Sequence, residues 1–162
     1  MSDNEFTYRL ATINDIELLA RTRVIFFAEG NTEINDSQKA ALYENNKAYF
    51  KDAIKDGSFV AYLAYDGDTL AATSGINFYM TPPSPKNLIG KTAYISNIYT
   101  KPDYRGKGIA TRLFEMTLAE AKKRGCGKAT LIASDMGRSI YEKQGFFNAN
   151  GVMDLFIDIH YS

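Results

Sequence analysis

One segment of the chain, from residue 93 to residue 124, restricts the possible folds more than any other. It begins with a strand predicted over Ala93 to Thr100, passes a turn that contains Gly106 and Gly108, and continues as an amphipathic helix predicted from Gly108 to about Arg124. Glycine lets the backbone approach a ligand closely, and the free amides and the dipole of an opening helix favour an anion. The pattern therefore predicts a binding site for a phosphate-bearing cofactor where this helix begins.

Composition and charge narrow the kind of protein that contains this segment. The 162 residues include 19 basic and 19 acidic side chains and are 45% hydrophobic, which fits a single globular domain over residues 1–162 without a charge bias toward nucleic acid. No apolar run is long enough to cross a bilayer, and the start of the chain is polar and acidic. A single cysteine, Cys126, provides neither an internal disulfide nor a thiolate metal site. We therefore expect a cytoplasmic protein that has no membrane, nucleic-acid or metal partner.

The first half of the chain predicts a strand, two helices and a hairpin. These elements are a strand from Tyr8 to Ala11, a helix beginning at Asn14 or Asp15, a helix capped by Ser37 and ending at Gly57, and two antiparallel strands, Phe59 to Tyr65 and Leu70 to Tyr79, joined at Asp66-Gly67-Asp68.

The second half predicts a loop, a parallel crossover and a terminal strand. Three of the four prolines lie between Thr81 and Pro85, so Met80 to Lys91 is expected to be an exposed loop that could border a substrate site. The strand, helix and strand that follow, ending with Ala129 to Ala133, have the spacing of a right-handed parallel crossover. A short helix capped by Asp135 and closing at Gly145, and a last strand from Val152 to Ile159, complete the predicted order.

The spacing of the glycines separates the known phosphate-binding motifs. A P-loop has the form Gly-x-x-x-x-Gly-Lys-Ser/Thr, with four residues between its two glycines. Here only Lys107 separates Gly106 from Gly108. The dinucleotide fingerprint agrees at its first two glycines, but Thr111 stands at the third position and too little chain follows for the second half of that fold. A nicotinamide-dependent oxidoreductase is therefore the weaker alternative.

A third motif, Arg-x-x-Gly-x-Ala, is present as Arg105-Gly106-Lys107-Gly108-Ile109-Ala110 and resembles the acyl-coenzyme A loop of the GNAT superfamily of N-acetyltransferases. Tyr141-Glu142-Lys143-Gln144-Gly145-Phe146 is similar to a later segment of that family, and the order of predicted elements agrees over nearly the whole chain. The resemblance implies an α/β (α+β) fold: a mixed, mostly antiparallel sheet of six to seven strands, with a parallel pair splayed at its centre, flanked by about four helices.

The resemblance also implies an activity and a cofactor site. A GNAT protein transfers an acetyl group from acetyl-CoA to a primary amine by direct attack in a ternary complex, whereas a non-catalytic acyl-CoA sensor with the same fold is the alternative. The residues implied for the cofactor, through backbone or side chain, are Ile98, Tyr99, Thr100, Arg105, Gly106, Lys107, Gly108, Ile109, Ala110 and Ser134.

By the same resemblance, Tyr141 is the general acid that protonates the leaving thiolate, because a phenol has an unperturbed pKa of about 10. Two neighbouring positions depart from the family. Ser134 stands where Asn is common, and Gly137 stands where Ala is usual.

Fewer residues indicate where the amine acceptor binds than indicate where the cofactor binds. The strand from Thr92 to Thr100 contains no acid that could act as a general base, so Glu29, Glu33 and Asn97 are the candidate acceptor residues, with Tyr99 able to hold a water. The acceptor is expected to be a small-molecule amine or a protein or peptide amine. The terminal strand is an edge on which a homodimer could form.

Overall fold

The computed structural model of the chain describes residues 5–149 and 151–157. They divide into two units, up to Leu131 and from Ile132 onward, and each unit is described by itself. The first unit contains strands β1 (Thr7–Leu10), β2 (Phe59–Asp66), β3 (Thr69–Met80), β4 (Lys91–Thr100) and β5 (Lys128–Leu131), helices α1 (Ile16–Glu29), α2 (Asp36–Asp56) and α3 (Ile109–Lys123), and 3-10 turns at Ile13–Asp15 and Pro102–Tyr104. The second unit contains α4 (Arg138–Lys143). The prediction of one domain over residues 1–162 stays a prediction.

The five strands form one mixed sheet in the order β1-β2-β3-β4-β5. The pairs β1–β2, β2–β3 and β3–β4 are antiparallel, and β4–β5 is parallel. The predicted mixed, mostly antiparallel sheet is therefore confirmed, and the described residues contain four helices. The predicted six to seven strands were too many, and in the part of the chain that the structure describes the parallel pair lies at one edge of the sheet, not at its centre.

The predicted hairpin and the helix boundaries are largely confirmed. Asp66 pairs with Thr69 across a turn in which Gly67 has φ +57°, as the Asp-Gly signal requires. Gly57 ends α2 in the left-handed conformation at φ +79°. The cap of α2 was predicted at Ser37 and lies at Asn35, because the side chains of Asn35 and Gln38 cap each other's backbone amides.

Two clusters of buried side chains hold the helices to the sheet. Residues that alternate along β2, such as Phe59 and Leu63, pack with Leu19 of α1 and Phe50 of α2. Residues of the opposite alternation, including Ala64 and Ala72, pack with Ile109 and Leu113 of α3. Since successive side chains of a strand point to opposite faces, α1 and α2 cover one face of the sheet and α3 covers the other.

The predicted loop between β3 and β4 is confirmed as mostly exposed, with Asn87 and Gly90 as the buried exceptions. Asn87 is buried, and its side chain amide donates to Thr92 Oγ1 at 3.2 Å while its Oδ1 accepts from the Gly90 amide at 3.1 Å. The loop is thereby fixed to the start of β4.

One prediction about the second unit was wrong. The last strand was expected from Val152 to Ile159, but residues 152–157 form no strand, and residues 158 and 159 lie outside the described residues. The side chains of Val152, Met153, Leu155 and Phe156 are 78% to 93% exposed. A strand needs a neighbour to pair its backbone groups, and no strand pairs with this segment in the described chain. The edge on which the homodimer prediction depended is therefore absent over residues 152–157.

Candidate functional site

The N-terminus of α3 is open. Gly106 and Gly108 have φ values of +73° and +78°, and no side chain caps the first amides of the helix, for which Gly108 is the N-cap. A Cβ atom added at either glycine would meet no atom within 4 Å. Because the first four amides of a helix lack intrahelical partners, this turn leaves donors and space for an anion where the helix dipole favours one.

Arg105 and Lys107 are two of the three basic residues in the loop before α3. Arg105 donates through Nε to the Thr100 carbonyl at 3.0 Å, and its guanidinium lies 3.6 Å from a carboxylate oxygen of Glu29. The Lys107 ammonium lies 5.3 Å from the centre of the Tyr104 ring. Both side chains are exposed, so they add positive charge beside the open helix end.

The end of β4 that faces this loop is unpaired on one edge. The parallel ladder with β5 ends at the Ile95–Leu131 pair. On the other edge, β3 pairs Thr73 with Tyr99 and Gly75 with Ser96, so two residues of β4 stand opposite one of β3. This β-bulge turns the backbone of β4, and the β5-facing edge beyond Ile95 has no strand partner among the described residues. Free backbone groups there can pair with an extended ligand.

Asn97 occupies the bulge and is the only non-glycine residue in the described chain with a positive φ, +56°. Its carbonyl accepts from Thr73 Oγ1 at 2.7 Å, and its side chain oxygen accepts from Arg23 at 2.8 Å. Asparagine tolerates the left-handed conformation better than most residues. The two hydrogen bonds fix the bulge to β3 and to α1.

Glu29, the last residue of α1, joins the helix to β4 and to the loop that follows it. The buried Tyr99 hydroxyl is 2.9 Å from both carboxylate oxygens of Glu29, which also face Arg105. Burial, and next the hydrogen bond to Glu29, raise the pKa of Tyr99 to about 12. Glu29, expected on the acceptor side, is thus bound to two residues expected on the cofactor side.

Two cavities of the first unit lie near the predicted acceptor residues, and they share no lining residue. The cavity we call the Arg23 pocket has a volume of about 240 Å³ and is lined by Arg23, Asn46, Tyr49, Phe50, Phe59, Asn77, Tyr94, Ser96 and Asn97. The other, about 550 Å³, is lined by residues of the α1–α2 connection, Glu33 among them. The structure therefore separates Asn97 from Glu33.

Arg23 is a functional candidate that the sequence reasoning missed. Ile16, Leu19 and Ala20 set the apolar face of α1, and position 23 continues that spacing. A charged residue on the buried face of a helix was the available signal.

In the second unit, Ser134 and Gly137 both act on Tyr141. Ser134 Oγ accepts from the Gly137 amide at 3.2 Å and the same side chain hydrogen-bonds Tyr141. A Cβ atom at Gly137 would lie 2.5 Å from the Tyr141 hydroxyl, so the ring needs glycine there. Burial raises the pKa of Tyr141, and the hydrogen bond with Ser134 lowers it in part, which leaves a phenol protonated at neutral pH. Asp135 was predicted as the cap of α4; the N-cap is Gly137, and Ser134 contacts its amide.

An open glycine-led helix end beside an unpaired strand edge is typical of α/β proteins that bind an anionic group at a helix N-terminus. Comparison with known proteins identifies one family within this class. The model of the acetyltransferase (GNAT) family matches residues 21–146. The chain belongs to the acetyltransferase (GNAT) family.

Individual relatives agree with the family. A predicted acetyltransferase with acetyl-CoA from Clostridium acetobutylicum has a TM-score of 0.85 and 31% identity, over 98% of this chain and 100% of the other. A GCN5-related N-acetyltransferase from Ralstonia eutropha has a TM-score of 0.84 and 27% identity, over 94% and 99%. Thialysine N-epsilon-acetyltransferase of Bos taurus is 30% identical over 66 residues, which cover 41% of this chain and only 37% of that protein's length.

Two other features are absent from the described residues. None of the helices within residues 5–149 and 151–157 has the length and apolar character that a membrane span requires. The same residues contain no group of three or more His, Cys, Asp or Glu side chains arranged to hold a metal ion.

Proposed function

We propose that this protein is an N-acetyltransferase that transfers the acetyl group of acetyl-CoA to a primary amine. The observation that carries the proposal is the open N-terminus of α3, where two glycines in the left-handed conformation replace a side chain cap. Family membership and a Clostridium acetobutylicum relative described with acetyl-CoA support the same ligand.

The residues around α3 fit the two chemically distinct parts of coenzyme A. Backbone amides from Arg105 to Ala110 would hold the pyrophosphate, and the Arg105 and Lys107 side chains would add charge at its edge. The unpaired edge of β4 from Ile98 to Thr100 would pair with the amide-containing arm, since both are extended and carry backbone-like donors and acceptors.

The acetyl-CoA thioester supplies an acyl group that an uncharged amine can attack. Amides on the unpaired edge of β4 would donate to the oxygen on which charge develops. Tyr141, protonated at neutral pH because burial raises its pKa, would give its proton to the departing sulfur. No carboxylate lines the Arg23 pocket, so we propose that the ammonium of the acceptor loses its proton through water held near Asn97, in direct attack without an acyl-enzyme.

Thiol release with a panel of amines tests the activity, and calorimetric titration of acetyl-CoA tests binding separately. Tyr141→Phe should lower kcat by roughly 10²- to 10⁴-fold and leave the acetyl-CoA Kd unchanged, because the phenol acts only when the thiolate leaves. Tyr43→Phe is the matched control, since Tyr43 lies on α2 and belongs neither to the loop before α3 nor to the lining of the Arg23 pocket.

The outcomes separate the alternatives. Acetyl-CoA binding without turnover of any amine would identify a non-catalytic sensor. No binding of acetyl-CoA would overturn the proposal, and a preference for a nicotinamide nucleotide would favour the oxidoreductase instead. Full activity in Tyr141→Phe would remove that residue from the mechanism.

A further inference from the structure

The Arg23 pocket has an unusual charge balance. Of its nine lining residues, Arg23 is the only one that is ionised at neutral pH; the others are amides, phenols, a serine and two phenylalanines. A polyamine or another purely cationic acceptor would meet a like charge there without a carboxylate among the lining residues to offset it. The pocket therefore disfavours cations and favours an anion.

The Arg23 guanidinium has donors to spare. In the part of the chain that the structure describes, it makes one hydrogen bond, to Asn97 Oδ1 at 2.8 Å, and no ion pair. One face of the guanidinium lies 5.0 Å from the centre of the Phe27 ring. Arginine carries five N–H donors, so most of its hydrogen-bonding edge is left for a ligand. Burial also lowers the pKa of Arg23, as expected for a charge removed from water without a counterion.

Neighbouring side chains add donors suited to a carboxylate. Tyr49 and Tyr94 are close enough to interact electrostatically with Arg23, and Asn46 and Asn77 line the same pocket. A planar guanidinium binds a carboxylate through two parallel hydrogen bonds, and amides or phenols can complete the remaining lone pairs.

The pocket also reaches the strand proposed to hold the acetyl group. Ser96 and Asn97 line the pocket; Asn97 lies in the β4 bulge, and Ser96 is the paired residue just before it. We propose that the Arg23 pocket takes an amine acceptor that carries a carboxylate, with Arg23 binding the carboxylate while the amine lies toward Asn97. This assignment of substrate class rests on the proposed N-acetyltransferase function.

The first test uses matched acceptors in which a neutral amide replaces the carboxylate. L-lysine is compared with L-lysinamide, and glycine with glycinamide, by thiol release at saturating acetyl-CoA. The carboxylate member of at least one pair should have a kcat/KM higher by about tenfold or more, because a charge-assisted pair with a partly buried arginine is lost in the amide. Equal or lower kcat/KM for the carboxylate member of both pairs would overturn the proposal.

The second test changes the arginine. Arg23→Gln should raise the KM for the preferred carboxylate acceptor about tenfold or more and abolish the preference over its amide, without changing the acetyl-CoA Kd. Arg23→Lys keeps the charge and should retain part of the preference. Arg21→Gln, which removes an exposed arginine of the same helix, should leave the preference unchanged.

A purely structural role of Arg23, in which it only holds Asn97 in the left-handed conformation, predicts a different pattern. Both members of each pair would then lose activity alike in Arg23→Gln, and that result would overturn the proposal.

Calorimetric titration of L-lysine, L-lysinamide, glycine and glycinamide in the presence of coenzyme A separates this proposal from the proposed function. Preferential binding of a carboxylate ligand that Arg23→Gln abolishes, without turnover of any amine, supports the pocket assignment and contradicts the acetyltransferase activity. Turnover of amines without a carboxylate preference supports the acetyltransferase activity and contradicts the pocket assignment. No binding of either carboxylate ligand would overturn the pocket assignment.

Discussion

The N-termini of α2 and α3 leave the same backbone amides without intrahelical partners, and they satisfy them in opposite ways. At α2, the Asn35 side chain accepts from the Gln38 amide at 2.8 Å and the Gln38 side chain accepts from the Asn35 amide at 2.9 Å. At α3, Gly108 brings no side chain at all. A helix end closed by its own residues stabilises the fold, whereas an end left open keeps its donors for a ligand.

The largest effect is expected when the open N-terminus of α3 is closed. Gly108→Val should raise the acetyl-CoA Kd by roughly a hundredfold, because a β-branched residue cannot easily adopt φ +78° and the amides would turn away from the phosphate. Gly67→Val is the matched control: Gly67 also has a positive φ and free space around it, but it lies in the β2–β3 turn. It should lower thermal stability and leave the Kd unchanged. An unaltered Kd in Gly108→Val would remove this loop from the ligand site.

A second closed helix start lies before α1 and should respond to pH. The Asp15 carboxylate accepts from the Thr12 amide at 2.7 Å and from Arg9 at 2.8 Å. The hydrogen bond from Arg9 lowers the pKa of Asp15. This stabilisation is present above the unfolded-state pKa of about 3.9 and is lost as pH falls through the lowered folded-state value.

Asp15→Asn should therefore lower the free energy of unfolding by about 1–3 kcal/mol near pH 7, with a smaller difference near pH 3, as measured by urea denaturation. Asp68→Asn, at the exposed end of the β2–β3 turn, provides the control. A difference that stays constant with pH would show that the ion pair does not titrate as described.

Opening the closed end of α2 should have a smaller effect, and only on stability. Asn35→Ala removes the cap and should lower the free energy of unfolding by about 1 kcal/mol. Because α2 contributes no residue to the proposed cofactor loop, the acetyl-CoA Kd should stay the same in a calorimetric titration. A weaker Kd in this variant would contradict the division of roles between the two helix ends.

The smallest effect belongs to the exposed charge beside the open end. Lys107→Gln should raise the acetyl-CoA Kd by about two- to fivefold, because an exposed ammonium in water contributes little beyond the backbone amides. Salt screens such charges, so the difference between the two proteins should shrink when the titration is repeated at high ionic strength. A loss as large as that of Gly108→Val would show that the side chain, not the helix end, supplies the binding energy.

Local rules predicted the parts of this molecule in which neighbouring residues decide the conformation. The two loop glycines, the Gly57 stop and the Asp-Gly hairpin each follow from backbone preferences within a few residues, and each was placed correctly. The cap of α2 failed by two residues because Ser37 and Asn35 are both acceptable caps, and only the reciprocal bond with Gln38 distinguishes them.

Predicting the proposed acceptor pocket requires contacts between residues that are far apart in the sequence. Arg23 and Asn97 are 74 positions apart, and nothing in either segment indicates that a bulge in β4 brings them within a hydrogen bond. The segment from Val152 was expected to be a strand because of its apolar composition, yet strand formation also depends on a partner that composition does not reveal. Motifs therefore predicted the proposed cofactor loop, whereas the proposed acceptor pocket emerged only from tertiary contacts.

The close approach of Gly137 to the Tyr141 hydroxyl has a consequence for how this protein can evolve. Every other amino acid carries a Cβ atom, and at position 137 that atom would displace the ring. A side chain at position 137 would therefore require the Tyr141 ring to move, whereas Tyr141→Phe, which removes only the hydroxyl, requires no change at position 137. Glycine at position 137 thus restricts which substitutions this segment accepts without displacement of the phenol.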